Sequence, residues 1–137
     1  MITPMELNDN ELLQQFKDCT LSPSFLTHEV LLRITWILIQ QNGLERAIVK
    51  NCKLKEQYFK NVLKNDKYNN ALTVAYAEIL HHFMEKSKSR DFEKLLQEFP
   101  RLKYSFKELV KTHYGYNILK EHRKEEHLPR RPILFTF

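Results

Sequence analysis

A chain of 137 residues with a net charge of +5 has the length of one domain and can bury a core without a disulfide or a metal. Its two glycines argue against a turn-rich β fold and leave no glycine-rich phosphate loop. Cys19 and Cys52, the only cysteines, have no paired spacing and read as reduced thiols rather than as a disulfide framework.

No run reaches the ~20 apolar residues that cross a bilayer, and Met1 to Leu7 lacks the basic-then-apolar order of a signal peptide. The expectation is a cytoplasmic or nuclear protein with no membrane insertion. The charge is unevenly placed: residues 1–42 carry a balance of −3 and residues 43–137 a balance of +8. That polarity is either a solvated basic surface or an attraction for nucleic acid, an anionic membrane or an acidic protein.

Capping residues, Pro and Gly divide the chain into seven or eight helices. Asn8 or Asp9 opens a first helix to about Asp18, with Leu12, Leu13 and Phe16 on one face. After Pro23, Ser24 or Thr27 opens a helix that is apolar nearly all round, Val30 to Ile39, stopped at Gly43 by a left-handed residue. A short helix from Leu44 to about Asn51 follows, then another from Leu54 to Lys64 with Tyr58 and Phe59 inward. Asn65 and Asp66 supply a turn and cap for a second apolar helix, about Tyr68 to Glu85.

The polar stretch Lys86 to Arg90 reads as a linker. Phe92, Leu95, Leu96 and Phe99 repeat at helical spacing before Pro100 ends that helix. Tyr104 to Tyr114 is helical again, and Gly115 either ends it or thins it before a last helix from Tyr116 to about Glu126. Nothing alternates with period two, so the fold class is all-α without a sheet, with a helical domain over residues 1–127. Residues 128–137 form an extended tail: Pro129 and Pro132 hold the backbone open, and the end is apolar. Such a tail packs either onto its own helices or into a partner.

The two apolar helices repeat at an offset of forty residues. Leu32 falls on Leu72, Ile34 on Val74, Trp36 on Tyr76 and Ile39 on Ile79. This period and apolar pattern over residues 8–126 resembles two to three irregular units of an armadillo/HEAT-type array. The resemblance implies an armadillo/HEAT-like stack in which neighbouring units share one core; the alternative from the residues is an irregular helical bundle. A shorter string, Thr112 to Glu121, is similar to the base-reading helix of a Pumilio-type repeat. That likeness implies base contacts from Tyr116 and Asn117, but Lys120 stands where the pattern needs an acceptor.

Nothing marks catalysis or a metal. His81 and His82 are adjacent and point about 100° apart on a helix, and His122 and His127 are spaced too far to share one face. Carboxylates at Glu125 and Glu126, and at Asp91 and Glu93, read as solvated or locally paired. Cys52 lies among Lys50, Lys53 and Lys55, a setting that lowers a thiol pKa, yet no base or acyl-transfer motif accompanies it. The expectation is no enzyme and no cofactor.

The basic residues are the stronger lead. Arg46, Lys50 and Lys53 share one helix face at i, i+4 and i+7, and Lys60, Lys64 and Lys67 repeat the spacing on the next expected helix. Two antiparallel helices would merge them into one ridge. Tyr58 and Tyr68 lie close enough in sequence to add stacking rings. The expected function is a scaffold or adaptor that docks an acidic or amphipathic segment of a protein partner there, with Ile133, Phe135 and Phe137 of the tail as a second contact. The alternative is an RNA- or DNA-binding domain using the same ridge.

Overall fold

The computed structural model describes residues 6–65 and 68–114. Among them the regular structure is all helical: α1 (Asp9–Lys17), a 3₁₀ turn (Pro23–Phe25), α2 (His28–Asn42), α3 (Leu44–Tyr58), a π turn (Phe59–Leu63), α4 (Asn70–Lys86), α5 (Phe92–Glu98), α6 (Arg101–Tyr104) and α7 (Phe106–Tyr114). The chain divides into two compact units, residues 1–68 and 69–137. No helix among the described residues is long and apolar enough to cross a membrane. The expected final helix, the Pumilio-like string after Tyr114 and the apolar tail lie outside the described residues.

In the first unit, Asn8 is the cap of α1. Its side chain accepts from the Glu11 N–H at 2.8 Å, and Glu11 accepts from the Asn8 N–H at 3.0 Å, a reciprocal box that satisfies two otherwise orphaned donors. The helix closes on Cys19 at φ 59, with the Thr20 N–H donating to Gln15 O and the Cys19 N–H to Phe16 O. That pair of bonds is a Schellman stop, made here by a residue that carries a Cβ. Arg33 of α2 donates to Asp9 at 2.9 and 3.1 Å and to the Leu7 carbonyl at 2.7 Å, tying the start of α1 to α2.

Thr27 caps α2 by accepting from the Val30 N–H. From Ile34 to Ile39 every residue is buried, so more than a full turn of α2 is covered on all sides. Gly43 alone joins α2 to α3: its N–H donates to Ile39 O and its carbonyl accepts from the Ala47 N–H. Its backbone, φ 81 and ψ 168, is a region that only glycine enters readily, and not the left-handed helical stop read from the sequence. The helices α1, α2 and α3 all pack on one another.

Helix α3 corrects the sequence reading. The two short helices expected over 44–51 and 54–64 are one fifteen-residue helix continued by the π turn. No Pro or Gly falls between Asn51 and Leu54, so nothing breaks the hydrogen-bond ladder there. The π turn ends on Lys64 at φ 53.

The second unit begins with α4. Asn69 caps it by accepting from the Leu72 N–H at 3.0 Å, three or four residues after the cap expected at Asn65 or Asp66. Thr73 to Ala77 are all buried, as are Ile79, Leu80 and Phe83. The expected linker leads to Asp91, which caps α5 by accepting from Glu93 N–H, while Glu98 accepts from the Ser87 hydroxyl and the Lys88 N–H. Pro100 then starts the four-residue α6, an element absent from the sequence reading. Aromatic pairs hold this unit: Tyr76 stacks on Phe106 at 4.6 Å, and Phe83 meets Phe99 at 4.9 Å. The helices that follow α2 and α4 therefore differ, one long rod in the first unit against three short helices in the second.

A Cβ at position 43 would meet nothing within 4 Å, so Gly43→Ala tests backbone conformation alone. It is expected to destabilise by about 2 kcal/mol. Urea unfolding should show a lower midpoint with an unchanged slope.

Candidate functional site

Continuity of α3 re-draws the basic ridge. At 3.6 residues per turn, Arg46, Lys50 and Lys53 of α3 fall within about 40° of one line, whereas Lys60 lies in the π turn, where that period no longer holds, and Lys64 follows it at φ 53. All five are exposed. Of the cations expected on two antiparallel helices, Arg46, Lys50 and Lys53 share one face of α3 over a rise of about 10 Å, and Lys60 and Lys64 follow in the π turn and just past it. Glu45 and Glu56, the carboxylates of α3, sit about a quarter-turn to one side. Among the described residues Lys50 donates to Asn42 Oδ1 at 2.9 Å, at the end of α2, and no carboxylate is salt-bridged to the stripe. Beside the stripe Val49 is 69% exposed. Lys67, and Ile133, Phe135 and Phe137 of the tail, lie outside the described residues.

The opposite face of α3 is a polar row pressed into the core, and sequence reasoning missed most of it. Asn51, Lys55 and Tyr58, at i, i+4 and i+7, are all buried. Asn51 Nδ2 donates at 3.0 Å to the Thr35 hydroxyl of α2, which in turn donates to Leu31 O at 2.8 Å. Asn51 Oδ1 is buried without a hydrogen-bond partner. The Tyr58 hydroxyl donates at 2.6 Å to the Leu21 carbonyl, and its ring lies 5.1 Å from that of Phe16 in α1. Tyr58 is therefore no stacking ring for a ligand. Tyr68 is half-buried and engages Phe59 edge-on at 6.1 Å.

Lys55 is 4% exposed, and burial pushes its amine down to about 7, with the nearby Cys52 acting weakly in the other direction. Cys52 does not behave as its neighbouring lysines suggest. Burial raises its pKa, outweighing the hydrogen bond from Tyr68 and the charge of Lys55. A thiol held protonated at neutral pH is the reverse of an activated nucleophile. His81 pairs with Glu85 at 3.1 Å, while His82 packs edge-on to Phe83. Among the described residues no three His, Cys, Asp or Glu side chains are grouped to hold a metal.

One further side chain stands out against the sequence reading. Tyr104, expected as the first residue of a helix with Phe106, Leu109 and Val110 inward, instead ends α6 and is 76% exposed, with the Lys103 ammonium 5.4 Å from its ring centre. No family model matches the chain, nor does any curated protein or solved structure.

The buried amine makes stability depend on pH. The unfolded chain keeps the Lys55 proton up to about 10.5 and the folded chain releases it near 7, so between these values the unfolded state binds more protons and stability rises with pH. Between pH 7 and 9 the expected gain is about 2 kcal/mol. Above that, the raised thiol of Cys52 works in the opposite sense. Urea titrations across this range should show the slope in the wild type and lose most of it in Lys55→Met, which should also be the more stable protein at pH 7.

Proposed function

We propose that this chain is a non-enzymatic docking module, a scaffold or adaptor of armadillo/HEAT-type helical build, whose outer α3 face receives an acidic amphipathic helix of a protein partner inside an intracellular complex. The observation that carries the reading is the line of three exposed cations on α3, Arg46, Lys50 and Lys53, followed by exposed Lys60 and Lys64 at its π-helical end. A partner helix with carboxylates at i, i+4 and i+7 has the same pitch as that line, so several ion pairs form in one register. Val49 beside the stripe offers an apolar contact that such a helix would cover. Arg46 adds a bidentate fork for one carboxylate. The forty-residue correspondence of the buried α2 and α4 supports the repeat-like build.

A nucleic-acid reading of this same stripe has less behind it. Its nearest tyrosine, Tyr58, is fully buried with its hydroxyl committed to Leu21. A ridge of lysines without an accessible ring attracts phosphate but stacks no base.

The test is a pull-down from nuclease-treated extract with the full chain, comparing wild type, Lys53/Lys60/Lys64→Glu and a matched reversal at the exposed Lys17, Lys88 and Lys94. A protein retained by wild type and by the second variant, but lost with the α3 reversal, is the expected result. Charge pairs made in the open should also weaken as salt rises. Equal recovery by all three proteins would remove the stripe from the docking surface.

A further inference from the structure

The corner between α6 and α7 carries a surface of a different kind from the α3 stripe. From Phe99 to Thr112 the chain holds Arg101, Lys103, Lys107 and Lys111 against one carboxylate, Glu108, and all five are exposed. Ser105, at φ −134 and ψ 32, interrupts the helix and leaves Tyr104 projecting at the bend. Beneath the corner, Leu102, Phe106, Leu109 and Val110 are buried. The inner face is thus closed, and among the described residues the outer face carries the exposed Tyr104 ring with Lys103 at it and further exposed cations along α6 and α7.

We propose that this corner is a contact for single-stranded nucleic acid, with Tyr104 stacking against a base and Lys103, Lys107 and Lys111 meeting the flanking phosphates. Charge complementarity alone would admit an acidic peptide as well. The apolar content decides between them. An amphipathic peptide needs a groove for several side chains, whereas the described corner presents one exposed ring between polar neighbours. A base needs only one flat ring, and its phosphates need cations on either side of it. Lys103 already stands at the ring at cation–π distance, so a phosphate drawn to that ammonium brings its base to the ring. Stacking of this type is tolerant of base identity, so the contact recognises strandedness rather than sequence.

The test uses the full chain with fluorescein-labelled oligo(dT), oligo(U) and a duplex of equal length, read by anisotropy at roughly 50 and 200 mM salt. Wild type should prefer the single strands and lose roughly twentyfold in affinity across that salt range if three phosphates are contacted. Tyr104→Ala should weaken single-strand binding about tenfold with the salt slope intact, while Tyr104→Trp keeps the affinity. Lys107→Gln with Lys111→Gln should flatten the slope. Because Tyr104 is exposed, its substitution should leave the melting curve unchanged, and the Lys53/Lys60/Lys64→Glu protein should retain the Tyr104 effect. Binding that ignores Tyr104→Ala, or favours the duplex, overturns the proposal. So does Tyr104-dependent binding of an oligo-glutamate peptide without binding of either single strand.

Discussion

The structure of the first unit depends on how α3 is pinned by its polar inner row. Apolar packing alone specifies the register of a helix such as α2 on its neighbours less sharply than directional bonds do. Asn51 bonded to Thr35 fixes the register of α3 on α2, and Tyr58 bonded to the Leu21 carbonyl fixes its far end on the segment after α1. Ala47, with the smallest buried side chain on this face, leaves room for α2 to approach. The arrangement carries an energetic load: a buried amide oxygen without a partner costs about 1–3 kcal/mol, and Lys55 is held far from its solution behaviour. Its return is orientation. With the inner row locked, Arg46, Lys50 and Lys53, half a turn away on α3, are held outward.

Charge is divided in the same sense. The acidic first third of the chain spends several carboxylates on its own architecture: Asp9 receives Arg33, Glu11 closes the cap of α1, and Asp18 accepts from Gln14. Among the described residues, Lys50 is the stripe cation with a comparable internal engagement, to Asn42. The excess of positive charge therefore faces outward, at surfaces the fold itself does not need. Two such surfaces differ in chemistry. The α3 line pairs cations with an aliphatic side chain, and the α6–α7 corner pairs them with an aromatic ring.

The sequence made some of this legible and concealed the rest for identifiable reasons. The buried helices α2 and α4 were visible because runs such as Ile34 to Ile39 leave no polar face to solvate. The cap at Thr27 and the stop at Gly43 followed from residue type, although the φ and ψ of Gly43 did not. Helix α3 was split because Asn51-Cys52-Lys53 looks like a polar interruption. In the folded chain Asn51 points inward to a hydroxyl, and a helix running through it also carries Lys55 into the core. An inward lysine has no signature in hydrophobic periodicity; only continuity with Ala47 and Tyr58 reveals it. The i, i+4, i+7 spacing of Arg46, Lys50 and Lys53 was readable, but the π turn that carries Lys60 and ends on Lys64 leaves no signature in that spacing. Tyr104, two residues before Phe106, falls on the opposite side of a continuous helix, so its outward position was legible from spacing, whereas the break at Ser105 beside it was not.

The one-residue connection at Gly43 bears on how the chain finds its fold. Closing a loop costs entropy that grows with its length, and here the loop between two fifteen-residue helices is a single glycine. Pairing of α2 with α3 is then among the least expensive tertiary contacts open to the unfolded chain. Such local pairing characterises fast-folding helical proteins. An α2–α3 hairpin formed early would present Leu21 and Phe16 with a ready surface, so that α1 docks on a completed edge through Tyr58. The glycine that looks like a mere hinge in the final structure thereby sets the order in which the first unit assembles.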